Sequence, residues 1–216
     1  MAETKFVSAL RFKWLTPLYD FLISITMPEK SIKQSLIEIA YFTDYANVLD
    51  FGCGTATLTI MAKEHRLLIK ITGIDIDTSI LDKAAEKIKV KKLDIGLTAY
   101  NGEQLPFEDS AFDRVISCLV FHHLETPVKQ NVLAELFRVT KKDGQLIIAD
   151  FGRSDSWLQR LLFNMIRGLD GFKPTSANAK GLIPLLIADA GFSNPTIKQK
   201  FKTIFGEVQI FKATKQ

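Results

Sequence analysis

The chain has 216 residues, 47% hydrophobic and 24% charged, with a net charge of +4, which fits one domain with a full core and excludes a disordered or fibrous chain. Its two cysteines, Cys53 and Cys118, form no disulfide framework and lack zinc-ligand spacing, and no apolar run reaches the ~18 residues of a membrane span. A secreted mini-protein, a zinc finger and a channel are thereby set aside, and with no secretory signal read at Met1–Phe12 the expected compartment is a reducing cytoplasm.

In chain order, residues 12–40 read as one or two helices forming an N-terminal helical cap over residues 1–40, part of the same domain as 41–216. Thr16-Pro17 starts the first of them and a second begins after Met27-Pro28, with Ile32, Leu36, Ile37 and Ile39 near helical spacing. From Ala46 the pattern alternates. ANVLDF, LIKITGID, IGLTAY, FDRVISC and QLIIAD are short β-branched runs of buried-strand type, separated by helical patterns near 55–65, 78–88 and 127–139. Asp143-Gly144 supplies a turn before the fifth strand. Two helices follow Asp150, at Trp157–Leu169 and Ala177–Ala190, and then two strands, TIKQKFKTIF and EVQIFKAT, closely spaced as an antiparallel hairpin. The fold class expected is α/β: a seven-stranded, mostly parallel sheet with an antiparallel C-terminal hairpin strand and helices on both faces.

Residues 151–216 hold ten Lys/Arg against four Asp/Glu. Lys198, Lys200 and Lys202 alternate as exposed strand residues do, so this tail reads as a solvated strand face rather than a nucleic-acid or lipid surface.

The first strand runs into a glycine loop and a helix, VLDFGCGTATLTI. Gly52 and Gly54 permit a sharp turn and close approach of backbone to a ligand at the helix N-terminus. The second strand ends in Asp75, 21 residues beyond Gly54, where a carboxylate can accept both hydroxyls of a ribose. A dinucleotide fingerprint needs glycine at position 57, which is Thr57. Asp50 also puts negative charge where a pyrophosphate would lie, which disfavours a nicotinamide-linked dehydrogenase. The same carboxylate suits a ligand carrying an ammonium and a sulfonium.

VLDFGCGTA, GIDID and YNGEQLPFEDSAFDRV, in this order and at this spacing, resemble the three motifs of class I S-adenosylmethionine (SAM)-dependent methyltransferases over roughly residues 46–151. WLTPLYD, ISCLVFHHL and IIADFG extend the likeness to the type 11 group, which includes ubiquinone/menaquinone biosynthesis methyltransferases. The resemblance implies a Rossmann-like fold and SAM as cofactor. Ala56 stands where the motif's last glycine belongs, small enough for close helix–strand packing. Asp75 becomes the ribose ligand, Ile76 an apolar contact for adenine, and Asn101 with the Gly102 N–H its polar partners, Asn101 replacing the usual acid. Tyr19 matches the tyrosine that contacts the methionine carboxylate in related enzymes, or is a core tyrosine. Cys118 lends backbone to the site, and no metal is implied.

Methyl transfer from a sulfonium needs alignment and exclusion of water, and a base only where the acceptor must lose a proton. His122 and His123, after the fourth strand, are candidates for base or acceptor-orienting roles. The alternative is that adjacent histidines point opposite ways and one merely packs. Asp150 at the next strand end orients an acceptor or a histidine, or caps a loop. No segment resembling those of nucleic-acid base methyltransferases follows the fourth strand, and no basic–aromatic platform is present, so nucleic acid is not an expected partner. The expected acceptor is a small apolar or aromatic molecule, with Trp14, Leu18, Phe21 and Leu22 either as its lid or only sealing the core. Stable membrane insertion is not expected, although Arg160, Arg167 and Phe163 leave room for transient membrane contact. A non-catalytic SAM-binding protein is the competing reading.

Overall fold

The computed structural model describes residues 27–154, 156, 174–203 and 206–216. The helices expected at Thr16 and at Trp157–Leu169, with Tyr19, the lid residues Trp14, Leu18, Phe21 and Leu22, and Phe163, lie outside them. Helix α1 (Glu29–Ala40) begins directly after Pro28 and buries Ile32, Leu36, Ile37 and Ala40 along one stripe. Strand–helix units follow: β1 (Asn47–Phe51), α2 (Thr57–His65), β2 (Lys70–Asp75), α3 (Thr78–Lys91), β3 (Gly96–Ala99), β4 (Phe112–Cys118), a 3₁₀ turn (Phe121–His123), α4 (Thr126–Val139) and β5 (Thr140–Gly152). Short helices α5 (Ser176–Lys180) and α6 (Ile183–Asp189) precede β6 (Ser193–Thr203) and β7 (Gly206–Thr214).

The strands form one sheet in the order β3-β2-β1-β4-β5-β7-β6. Pairs from β3 through β5 are parallel, while β7 runs antiparallel to both β5 and β6. The order reverses direction between β1 and β4, which opens a crevice at the carboxyl ends of those strands.

Two expectations need correction. Asp143-Gly144 does not precede the fifth strand but sits inside it. Asp143 has φ 61°, and the pairing of β5 with β4 shifts register there, so the dipeptide makes a bulge. The single helix expected over 177–190 is two, because Gly181 at φ 72° ends α5 and Pro184 stands in the first turn of α6.

Each central strand is apolar on both faces, as parallel strands between helices must be. Leu49, Phe51, Val115, Leu146 and Ile148 pack on one face with Leu133 and Leu136 of α4 and Ile183 of α6. Val48, Ile71, Ile116, Ile147 and Ala149 pack on the other with Ile32 and Leu36 of α1 and Leu58 of α2. Strand alternation therefore sends Asp50 to the α1–α2 face and Asp150 to the α4 face. Lys198, Lys200 and Lys202 are all exposed on the outermost strand, as expected. Among the described residues no helix is long and apolar enough to cross a membrane.

The loop after β3, Tyr100–Ala111, has little regular structure and is held by Arg138 of α4. Its guanidinium donates to the carbonyls of Leu105 and Phe107 at 3.0 and 2.8 Å and to the carboxylates of Asp109 and Glu135, both at 2.8 Å. Glu135 in turn accepts from the Leu105 N–H at 2.9 Å. Arg138→Ala strands two carbonyls and a carboxylate together, and charge-assisted bonds are each worth about 1.5–3 kcal/mol. The variant is expected to lose at least about 1.5 kcal/mol in urea unfolding; an unchanged midpoint would show that the loop holds without it.

Candidate functional site

The loop after β1 is fastened to the end of β2. The N–H groups of Gly52 and Cys53 donate to the Ile74 carbonyl at 2.9 and 3.0 Å, and the Gly54 N–H donates to Asp75 Oδ2 at 2.9 Å. Gly52 and Gly54 have φ of 70° and 53°, the left-handed region that glycine enters at no steric cost. Their surroundings differ. A Cβ on Gly52 would lie 2.5 Å from Val120 Cγ2, in the loop after β4, whereas a Cβ on Gly54 would meet nothing within 4 Å. The first glycine lets two loops touch across the strand-order reversal, and the second leaves room beside Asp75. Ala56, assigned only a packing role from sequence, also carries φ 58° as the N-cap of α2, so the position favours glycine for its backbone as well.

Asp75 is partly exposed at the rim, its second oxygen accepting from the Asp77 N–H at 3.1 Å. Ile76 beside it is 38% exposed. Gly102, at φ 85°, stands so close that a Cβ there would come 3.1 Å from Ile76 Cδ1. The two residues expected to enclose an adenine are thus brought together, with Asn101 beside them, its amide oxygen accepting from the Glu103 N–H at 3.0 Å.

Asp50 is 1% exposed, and Thr59 Oγ1 donates to it at 2.6 Å. Burial pushes its pKa up to about 6, against the opposing hydroxyl of Thr59 and charge of Lys33. Thr59 was missed in the sequence; its position in the helix after the loop was the available signal.

On the other face Asp150 is fully buried yet richly bonded. It accepts from the N–H groups of Phe121 and Phe151, both at 2.7 Å, from His122 Nδ1 at 3.0 Å and from Asn178 Nδ2 at 3.1 Å. Burial by itself raises its pKa, but the charge and hydrogen bond of His122 and the Phe151 N–H overcome that and hold it below the usual carboxylate range. The two histidines do not point opposite ways, because they sit on a 3₁₀ turn and not on a strand. Their ring centroids are 3.9 Å apart, with His122 buried and His123 exposed. With Nδ1 facing a carboxylate, the neutral form of His122 carries its proton there and leaves Nε2 as the acceptor nitrogen.

Two supports were not legible. Asn178 also donates to the Phe151 carbonyl at 2.8 Å. Lys129 of α4 is buried and donates to the carbonyls of Leu124 and, at 2.6 Å, Pro174, burial pushing its pKa down to about 8. Lys129 thereby ties the end of the histidine turn to the start of the α5 segment. Burial pushes both cysteine thiols up, so neither is a nucleophile at neutral pH. Among the described residues no group of three His, Cys, Asp or Glu is placed to hold a metal ion. A recess of about 650 Å³ between α2 and α3 is lined by none of the predicted site residues.

The geometry fits a nucleoside cofactor with an amino-acid arm, and comparison with known proteins points the same way. A methyltransferase domain family matches residues 48–144. A demethylmenaquinone methyltransferase of Listeria welshimeri is 33% identical over 155 residues, 69% of this chain and 65% of that protein. The chain therefore spans just under two thirds of the length of that curated relative. The fold is shared with a SAM-dependent methyltransferase from Aquifex aeolicus, at TM-score 0.63 and 18% identity, covering 90% of this chain and 96% of the other. It is shared equally with the [4+2]-cyclase SpnF, at TM-score 0.64 and 18% identity, covering 86% and 80%.

The two loop glycines are expected to respond differently. Gly52→Ala drives a Cβ into Val120 and should destabilise the fold well beyond the ~1–2 kcal/mol of left-handed strain. Gly54→Ala should incur that strain alone and lose SAM affinity in calorimetry; equal stability losses would refute the distinction.

Asp50 gives a pH signature. An unfolded aspartate titrates near ~3.9, and the folded one at about 6. Between roughly pH 4 and 6 the folded state binds more protons than the unfolded, so stability falls as pH rises through that window and stays lower above it. Asp50→Asn should remove this slope and stabilise the ligand-free protein at pH 7 by on the order of 2 kcal/mol. Urea unfolding at pH 4.5 and 7 checks it, and a slope unchanged from the parent would refute it.

Proposed function

We propose that the chain is a class I SAM-dependent methyltransferase of the ubiquinone/menaquinone-like type, a reading supported by its likeness to a methyltransferase domain family and to a demethylmenaquinone methyltransferase, and that it transfers a methyl group from SAM to a small hydrophobic acceptor of the quinone-precursor class. The observation that carries the reading is the cradle at Gly54. Its N–H fixes the Asp75 carboxylate at 2.9 Å, and the space a Cβ would occupy is open. In this reading Asp75 receives the ribose hydroxyls, Ile76, Asn101 and Gly102 take the adenine, and Asp50 takes the ammonium of the amino-acid arm. Tyr19 and the lid residues Trp14, Leu18, Phe21 and Leu22 would complete the enclosure, with Cys118 contributing backbone at the floor.

SAM supplies an already activated methyl group on a sulfonium. The chain's own work is to hold the acceptor in line and keep water out. His122 Nε2 takes the proton that an acceptor hydroxyl or activated carbon gives up, while Asp150 fixes the imidazole's tautomer and stabilises its charged form. His123, whose ring lies tilted against it, forms part of the acceptor wall. The hydrophobic nature of the acceptor is supported by the relative named as a demethylmenaquinone methyltransferase.

Incubating the protein with methyl-labelled SAM and a panel of demethylated quinones tests the reading; label in an organic-extractable product is the expected result. Saturable SAM binding with no transfer to any acceptor would favour a non-catalytic binding protein. His122→Ala should lower transfer by roughly 10²–10⁴-fold with SAM affinity retained. Full activity in that variant would remove the histidine from the chemistry.

A further inference from the structure

One charged side chain of α1 breaks the helix's apolar stripe. Ile32, Leu36, Ile37 and Ala40 are buried against the sheet, and Lys33, whose i+3 and i+4 neighbours are Leu36 and Ile37, lies on the same side with its side chain only 12% exposed. Among the described residues its one ion pair is with Glu29, a residue on the same helix that is itself 52% exposed.

The position of that ammonium follows from the topology. Ala40 at the far end of α1 accepts from Arg114 Nε near the start of β4, at 2.9 Å, and the Ile39 carbonyl accepts from Lys212 at 3.0 Å. From Ala40 the chain reaches the start of β1 within seven residues. Helix α1 therefore packs across β5 and β4, and with its last turn at the start of β4 its first turns lie toward the carboxyl ends of those strands, beside β1. The faces agree as well, since Asp50 and Cys118 both project to the α1–α2 side. The charge of Lys33 is felt at both. The buried carboxylate of Asp50 gives a cation on this helix face an electrostatic reason to persist, yet among the described residues the ion pair Lys33 makes is with Glu29.

The amino-acid arm of SAM is a zwitterion, with ammonium and carboxylate on one carbon. We infer that Lys33 is a binding residue for the carboxylate of that arm, together with Asp50, which takes the ammonium. The inference rests on the SAM reading above and adds to it a residue on the cap helix. Two fixed charges of opposite sign match the two ends of the zwitterion, and Glu29 holds the ammonium in place until a stronger acceptor arrives. Glu29 thus competes with the ligand for the lysine.

Calorimetric titration of the full chain with SAM, its demethylated product and decarboxylated SAM separates the contributions. Lys33→Met should weaken SAM and the demethylated product by about tenfold or more, the worth of one charge-assisted bond, and leave decarboxylated SAM unchanged. Lys33→Arg should restore most of the affinity. Glu29→Gln, an exposed change safe for the fold, should tighten SAM a few-fold by freeing the ammonium. Equal losses for SAM and decarboxylated SAM, or no loss for either, would overturn the assignment, as would weaker SAM binding in Glu29→Gln. If the parent chain binds none of the three, the cofactor reading itself falls and this inference with it.

Discussion

A β-strand sends successive side chains to opposite faces, and in a sheet covered on both sides that rule leaves no neutral place for a charge. Everything functional in this chain hangs on it. Val48 and Leu49 fill opposite cores, so Asp50 must turn toward α1 and α2, where it meets Thr59 and feels the charge of Lys33. In β5 the phase is the other one, and Asp150 turns toward α4 and meets His122 and Asn178. The sheet itself thus keeps the two buried carboxylates on opposite faces, each with its own set of partners.

The two aspartates also show how little burial alone determines. Both are essentially inaccessible, yet one pKa is raised and the other lowered. The difference is the number of donors. Asp150 gathers four N–H groups within 3.1 Å, and a carboxylate so solvated by protein stays ionised in the interior. Asp50 has chiefly one hydroxyl, at 2.6 Å, and is left poised to accept positive charge from outside. A ligand ammonium would complete what the fold leaves incomplete, so binding should bring Asp50 down toward the ordinary range.

Local pattern made most of the scaffold readable. The β-branched runs, the two loop glycines and Asp75 lie close together in sequence and obey spacing rules, and each strand and its order of appearance followed. What escaped was long-range. Asn178 reaches Asp150 across 28 residues and Lys129 reaches Pro174 across 45; neither is marked by any periodicity, and both look in sequence like ordinary helix residues. For the histidine pair, one of the two readings that the sequence left open fails, for a different reason. The alternation rule for strands does not hold in a 3₁₀ segment, where the neighbouring rings lie close together and tilted. The break at Gly181 shows the reverse case, a visible signal outweighed by the apolar run around it.

The two open margins of the sheet carry a consequence of their own. At one margin β3 is only four residues long, too short to template a foreign strand. At the other, β6 is eleven residues, but its register slips twice and it presents Lys198, Lys200 and Lys202 to water. Unpaired backbone on a long flat edge invites a second chain to add itself, with amyloid-like stacking as the extreme outcome. Here that route is blocked by brevity on one side and by like-charge repulsion and a crooked ladder on the other. The three lysines of β6 therefore act as insulation against aggregation: replacing them with threonine would leave the crevice untouched while turning a guarded edge into an adhesive one.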